Sequence, residues 1–186
     1  MSIQQQTRRA ALALAGLAAF AAPAWAADRV LLVTSMGNIE IELDAQKAPK
    51  SVANFEQYVK EGHYDGTVFH RVIPNFMIQG GGMLPDLREK PTRKPIPLEA
   101  HNGLKNTVGT VAMARTNDPN SATAQFFINV KDNGFLDEGD GYAVFGHVIS
   151  GMDVVKKIEA VATTTKGPYE NVPSTPVTIK KASLEK

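Results

Sequence analysis

The sequence predicts a fold dominated by antiparallel β-structure, either a barrel or a sandwich. Eight short runs are rich in apolar residues, which is typical of strands, and only two segments have helical spacing. Turn-forming residues, notably Gly80, Gly81 and Gly82, separate the runs. A barrel of about eight strands is filled by its own side chains, so a site would lie on its outer surface or rim. The eight runs are residues 30–33, 39–43, 67–73, 76–79, 108–114, 125–130, 143–149 and 177–180.

The first two runs predict a β-hairpin. They flank Met36 and Gly37, which form a short turn signal between two apolar-rich segments. In the second run Ile39, Ile41 and Leu43 share one face, and glutamates occupy the other. We therefore expect one face of this hairpin to pack into the core.

Two helices are expected along the chain. Pro49 suits the first turn of a helix, and Gly62 suits its C-terminal cap. Residues 152–160 have the spacing of a second helix. The apolar faces consist of Val52, Phe55, Tyr58 and Val59 in the first helix and Val154, Val155, Ile158 and the adjoining Val161 in the second.

Composition excludes several classes of function. The chain has 186 residues, enough for one domain, and its formal net charge of +1 argues against a nucleic-acid surface. It has no cysteine, so disulfides and thiol catalysis are excluded. The four histidines lack the paired spacing of metal ligands, and no phosphate-binding loop is present. We expect neither a metal nor a cofactor.

The N-terminus has the pattern of a signal peptide. Arg8 and Arg9 precede an apolar stretch over residues 10–22, and Ala24 and Ala26 satisfy the small-residue rule for cleavage. We expect residues 1–26 to be removed and residues 27–186 to form the mature domain in the periplasm, with no membrane span after processing. A retained membrane anchor is the alternative, although the stretch is short for one. The arginine pair leaves Sec and twin-arginine export both open.

Polar side chains interrupt two strongly apolar runs. A buried polar group must be hydrogen-bonded or functional. The residues alone leave two interpretations open, an arginine that braces the barrel and an arginine that acts on a ligand. The two-residue period of a strand places Arg71 on one face with Phe69 and Ile73, Met77 with Gln79, and Gln125 with Phe127.

Several segments resemble the cyclophilin family of peptidyl-prolyl cis–trans isomerases. The similarity covers nearly all of residues 29–183, with the motifs in family order. The family motifs are residues 69–81, 113–127, 134–137 and 144–146; residues 99–106 and 113–116 resemble the bacterial branch, and residues 167–169 and 172–173 its exported members.

The resemblance implies an eight-stranded, antiparallel, closed β-barrel capped by two α-helices. It also implies an enzyme that catalyses rotation about X–Pro bonds and assists the folding of exported proteins. Its partners would be proline-containing polypeptides, either unfolded or folding, and it would act as a monomer. A non-catalytic proline-peptide-binding module or chaperone is the alternative function, and a structural barrel with a bracing arginine is a third.

Carried over residue by residue, the resemblance implies that Arg71 is the catalytic residue and hydrogen-bonds the proline nitrogen in the twisted transition state. The remaining matches are substrate-binding residues. Phe76, Met77, Phe127 and Leu136 would take the proline ring, Gln79 would hold the arginine, Gln125, Ala114 and Arg115 would contact the peptide, and Phe135 and Tyr142 would wall the pocket.

Three positions depart from the best-known eukaryotic pattern. Phe135 stands where those members carry Trp, Tyr142 where they carry His, and Arg115 where Asn is common. An indole N–H can donate a hydrogen bond to a carbonyl of cyclosporin, whereas a phenyl ring has no donor. We therefore expect weak cyclosporin binding with the activity retained.

Overall fold

The computed structural model describes residues 29–185, so the expected signal peptide lies outside the described residues. This part of the chain forms ten strands, two α-helices and one short 3₁₀-helix. In chain order the elements are β1 (Arg29–Thr34), β2 (Gly37–Leu43), α1 (Pro49–Lys60), β3 (Val68–Ile73), β4 (Met77–Met83), β5 (Thr110–Met113), β6 (Phe126–Asn129), the 3₁₀-helix (Gly134–Asp137), β7 (Val144–Ser150), α2 (Met152–Glu159), β8 (Thr163–Lys166), β9 (Tyr169–Pro173) and β10 (Ile179–Glu185).

Eight of the strands form one curled antiparallel sheet, as expected. Their order is β10-β1-β2-β7-β5-β6-β4-β3. The expectation of a fully closed barrel was overstated, because no full ladder joins the two outer strands. At that joint Val68 bridges Thr178, and two backbone hydrogen bonds run from Phe69 N–H to the Val177 carbonyl and from Ile179 N–H to the Thr67 carbonyl.

The interior of the sheet is a continuous apolar core, and the two helices cap it. The predicted hairpin face is confirmed, since Ile39, Ile41 and Leu43 are buried there. The predicted helices are confirmed as α1 and α2, and their apolar faces pack into the same core. None of the helices within residues 29–185 has the length and apolar character needed to cross a membrane.

The structure differs from the predicted elements around the glycine run. The sequence indicated a turn at Gly80, Gly81 and Gly82, but all three lie inside β4. Glycine is needed there because neighbouring side chains approach the backbone closely. A Cβ atom on Gly81, for example, would lie 2.9 Å from the Phe126 ring. The run is therefore a place of close packing rather than a chain reversal.

Two further differences lie near the C-terminus. The hairpin of β8 and β9 was not predicted, because its sequence of Thr, Lys and Glu residues shows no apolar alternation. The last strand was expected over residues 177–180, whereas β10 spans Ile179–Glu185. β10 is an outer strand of the sheet and pairs with β1. Only part of one of its faces is buried, so polar residues occupy most of its positions.

Candidate functional site

A β-bulge in β3 sets the direction of Arg71. Phe69 pairs with Gly80 and Arg71 pairs with Gln79, so His70 is an extra residue without a partner in β4. The bulge shifts the two-residue period by one position, as bulges do. The sequence-based expectation that Phe69 and Arg71 share a face was therefore wrong: Phe69 lies in the barrel core, whereas Arg71 is half-buried on the outer face.

The outer face carries a row of residues aligned across five neighbouring strands. Strand pairing joins Arg71 to Gln79, Gln79 to Phe127, Phe127 to Ala112, and Ala112 to Val144. Since neighbouring strands lie about 4.8 Å apart, the backbone at Arg71 is about 10 Å from that at Phe127. A long arginine side chain can span this distance.

Gln79 contacts the Arg71 guanidinium, and Gln125 holds Gln79. Arg71 Nη1 donates a hydrogen bond to Gln79 Oε1 at 3.4 Å, and Gln79 Nε2 donates to Gln125 Oε1 at 2.9 Å. Gly82 makes room for this chain, because a Cβ there would lie 2.5 Å from Gln125 Cγ. The structure thus brings together the three polar residues that the sequence singled out. It adds Gly82, which the sequence analysis treated as part of a turn.

An apolar slot adjoins this polar chain on the same face. It is a cluster separate from the barrel core, and we call it the slot cluster. The predicted residues Phe76, Met77, Ala114, Phe127, Leu136 and Tyr142 belong to it. The cluster also contains four residues that were not predicted, Ile73, Leu104, Ala112 and Val144. The two-residue alternation of side chains along β5 and β7 could have indicated Ala112 and Val144, which lie in the same cross-strand row as Phe127.

The segment over residues 133–142 forms one wall of the slot. Phe135 is 58% exposed, and its ring stacks on that of Phe76 with centroids 5.6 Å apart and an interplanar angle of 28°. On the other side the Tyr142 ring meets Phe127 edge-on at 5.7 Å. The two expected wall residues therefore contact predicted slot residues directly.

Arg115 is fixed at the rim by several contacts. Its Nε and Nη2 donate to the Gly141 carbonyl at 3.0 and 2.9 Å, and its Nη1 donates to the Thr116 carbonyl at 2.8 Å. Its guanidinium carbon also lies 4.5 Å from the centroid of the Tyr142 ring. Arg115 thus holds the slot wall, while the Ala114 backbone N–H donates to the Gln125 carbonyl at 3.0 Å.

Among residues 29–185, no group of three or more histidines, aspartates and glutamates is arranged to hold a metal ion. The site consists instead of one half-exposed cation, two glutamines and an apolar slot. This arrangement suits binding of an uncharged, partly apolar group beside a hydrogen-bond donor.

The curled eight-stranded antiparallel sheet with two capping helices is the fold of the cyclophilin class. The chain belongs to the cyclophilin-type peptidyl-prolyl cis–trans isomerase family, because residues 29–184 match the family described as "Cyclophilin type peptidyl-prolyl cis-trans isomerase/CLD". It is an enzyme of that family, a peptidyl-prolyl cis–trans isomerase.

Bacterial relatives and solved structures agree with this membership. Peptidyl-prolyl cis-trans isomerase A of Dickeya dadantii is 55% identical over 183 residues, which cover 95% of this chain and 96% of the relative. Peptidyl-prolyl cis-trans isomerase B of Escherichia coli is 53% identical over 157 residues, which cover 81% of this chain and 96% of the relative. A Cryptosporidium parvum cyclophilin, crystallised in the presence of the dipeptide Ala-Pro, matches with a TM-score of 0.75 at 27% identity. The match covers 85% of this chain and 99% of the Cryptosporidium chain.

The bulged histidine makes stability depend on pH. Burial lowers the pKa of His70 to about 4, and its Nδ1 has no hydrogen-bond partner among the described residues. The unfolded chain takes up this proton near pH 6.5, whereas the folded protein takes it up only near pH 4. Stability is therefore complete above pH 6.5 and is lost as the pH falls toward 4.

We predict that His70→Gln flattens this acid dependence. Between pH 7 and pH 4 the variant should lose up to about 3 kcal/mol less of its free energy of unfolding than wild type does. Urea unfolding at a series of pH values measures it. Ser150→Ala, at an exposed position of β7 with no titratable side chain, is the control and should leave the profile as in wild type. Equal profiles for wild type and His70→Gln would contradict the assignment.

Proposed function

We propose that this isomerase acts on X–Pro bonds of exported proteins, assists their folding, and uses Arg71 as its catalytic residue. One observation carries the proposal: the Arg71 guanidinium lies on the outer face, hydrogen-bonded to Gln79, beside an apolar slot in the same cross-strand row. The enzyme class is known from the family, and the roles of individual residues are proposed from the resemblance to that family together with this geometry.

The reaction needs neither a nucleophile nor a redox group. Rotation about the X–Pro bond breaks amide resonance, which costs about 18–20 kcal/mol. At the twisted geometry the proline nitrogen regains its lone pair and becomes a better hydrogen-bond acceptor. A guanidinium N–H beside that nitrogen then forms a hydrogen bond that is strong only in the transition state, which is the condition for catalysis.

Arginine suits this role because it remains charged and presents several donors in a rigid plane. The hydrogen bond from Arg71 to Gln79 is long at 3.4 Å, and the side chain is half-exposed, so donors can turn toward a bound peptide. Gln79 is in turn held by Gln125 at 2.9 Å. This chain supports a role for Gln79 in positioning the guanidinium.

We assign the remaining residues by their places around the slot. The ring of the substrate proline would enter the apolar space, which excludes water and so strengthens the contact to Arg71. Gln125 would hold the peptide backbone while the other side of the bond turns. The proposed ring-binding residues are Phe76, Met77, Phe127 and Leu136, with Phe135 and Tyr142 as walls and Ala114 and Arg115 along the peptide.

Magnitudes indicate how the barrier is lowered. A rate increase of about 10⁵-fold requires the removal of about 7 kcal/mol. One charge-assisted hydrogen bond supplies about 1.5–3 kcal/mol. The remainder must come from fixed geometry and exclusion of water, which the slot provides.

We predict that Arg71→Ala lowers kcat/KM about tenfold or more, because the donor to the twisted nitrogen is lost. A proline-isomerisation assay on a short peptide measures it, with circular dichroism to verify the fold. Arg88→Ala, which removes an exposed loop arginine bonded to Asp86, is the matched control and should retain activity. Near-normal turnover of Arg71→Ala would exclude the role. If wild type bound proline peptides without turning them over, the protein would be a binding module or chaperone.

The site also supports weak binding of cyclosporin. The exposed Phe135 ring stands at the rim of the slot and offers no donor. We predict that Phe135→Trp lowers the inhibition constant for cyclosporin about tenfold, because an indole N–H is added. Inhibition of the isomerase assay measures it, with Phe135→Leu as the control that adds no donor. The prediction fails if Trp and Leu bind the drug equally.

We further propose that the protein is exported to the periplasm and that it is a monomer there. The exposed large apolar side chains among the described residues are the scattered Val108, Phe135 and Ile149, which do not form the broad patch of a dimer interface. The pattern of residues 1–26 supports export.

We predict that cleavage after Ala26 removes Trp25, which is the one tryptophan of the sequence. Protein purified from the periplasm should show tyrosine but no tryptophan fluorescence, and its mass should match residues 27–186. Protein made in the cytoplasm without processing is the control that retains the tryptophan signal. Tryptophan emission from the periplasmic form would contradict cleavage at this position.

A further inference from the structure

Three buried asparagines adjoin the slot cluster. Asn106 and Asn129 are 0% exposed, and Asn133 is 2% exposed. Asn133 Nδ2 donates to Asn129 Oδ1 at 2.7 Å, and Asn129 Nδ2 donates to Asn106 Oδ1 at 3.1 Å. The backbone N–H of Asn133 also donates to the Asn106 carbonyl at 2.8 Å. The three side chains therefore form one continuous chain, which we call the asparagine chain.

Both ends of the asparagine chain reach residues of the slot. At one end Asn133 Nδ2 donates to the carbonyl of Phe76 at 2.8 Å. At the other end Asn106 Nδ2 donates to Asp137 Oδ1 at 2.9 Å and, over a longer 3.3 Å, to the carbonyl of Tyr142. The chain thus connects the turn before β4 with the segment over residues 133–142.

Every side-chain amide hydrogen in the asparagine chain has an acceptor. Each of the three Nδ2 atoms makes two hydrogen bonds, and the sixth bond runs from Asn129 to Thr110 Oγ1 at 3.0 Å. The Phe76 carbonyl is an acceptor and must face the Nδ2 of Asn133 rather than its Oδ1, so it fixes the orientation of Asn133 and then of each amide in turn. A fully satisfied buried network holds one arrangement, and loss of one member leaves buried polar groups unpaired.

The slot wall needs such an anchor. Between residues 133 and 142 the regular structure is a single 3₁₀-helix of four residues. This segment carries Phe135, Leu136 and Tyr142, and Phe135 extends into solvent rather than into the core. Ring stacking on Phe76 contributes only about 1 kcal/mol. The Arg115 contacts hold the other end of the segment, at Gly141 and Tyr142, so the part that carries Phe135 needs an anchor of its own.

We propose that Asn106, Asn129 and Asn133 are positioning residues that hold the two walls of the proline slot at a fixed separation, so that the slot is formed before a peptide binds. The proposal rests on the proposed function of the slot. A slot that is already formed binds more tightly, because ordering a loop during binding costs free energy and so weakens the affinity for the peptide. The asparagines act through Phe76 and the 133–142 segment.

The test compares Asn133→Ala, which removes two donors, with Asn133→Ser, which keeps one. Asn133→Ala is expected to lower kcat/KM about fivefold or more, chiefly through a higher KM, because Arg71 is untouched but the slot is loosened. Asn133→Ser should recover part of that loss. In a double-mutant cycle, Asn133→Ala and Phe135→Ala should be non-additive, because both act through the Phe76 and Phe135 pair.

Asn54→Ala is the matched control. Asn54 is also a buried asparagine whose Nδ2 donates to a backbone carbonyl, that of Thr123 at 2.7 Å, but it lies on α1 outside the slot. It should lower the melting temperature as Asn133→Ala does, with kcat/KM within about twofold of wild type. If Asn133→Ala does not fold, the same comparison is made between Asn133→Ser and Asn54→Ser.

Two results would overturn the proposal. One is a kcat/KM within about twofold of wild type in the Asn133 variant. The other is an equal loss in the Asn133 and Asn54 variants, which would indicate general destabilisation. Inactive wild type would instead contradict the proposed function, so the two failures are distinguishable.

Discussion

The site depends on the placement of one cation against an apolar slot. The bulge at His70 turns Arg71 out of the barrel core, where the strand period would otherwise place it beside Ile78. Burying an unpaired guanidinium in the core would cost far more free energy than a hydrogen bond could recover. On the outer face it is half-exposed, bonded to Gln79, and adjacent to the slot.

The surrounding structure serves this placement. The glycines of β4 allow Phe69, Phe126 and Gln125 to pack closely against the strand, and the glutamine holds the partner of the arginine. Five strands in register then carry the polar row and the apolar slot on the same face. The slot itself is finished by a short loop segment, which makes its shape sensitive to the buried polar contacts beneath it.

Much of the fold could be predicted because its signals are local. Alternation in β2 and helical spacing in α1 directly report which side chains are buried. The bulge could not be predicted, because an unpaired His70 is a property of register between two strands rather than of either sequence. The hairpin of β8 and β9 escaped for another reason, since its exposed Thr and Lys residues carry no pattern of burial. The resemblance supplied most of the slot, but not Leu104 or the asparagine chain, whose contacts span distant segments.

We propose that Arg71 contacts the twisted bond more strongly than the planar one. The most direct measurement is NMR exchange spectroscopy with an Ala-Pro peptide, which yields the dissociation constant and the catalysed exchange rate in the same sample. Arg71→Ala is expected to leave the dissociation constant within about threefold of wild type while the exchange rate falls about tenfold or more. A dissociation constant that rises in proportion to the lost rate would contradict it, because Arg71 would then bind both forms of the peptide equally.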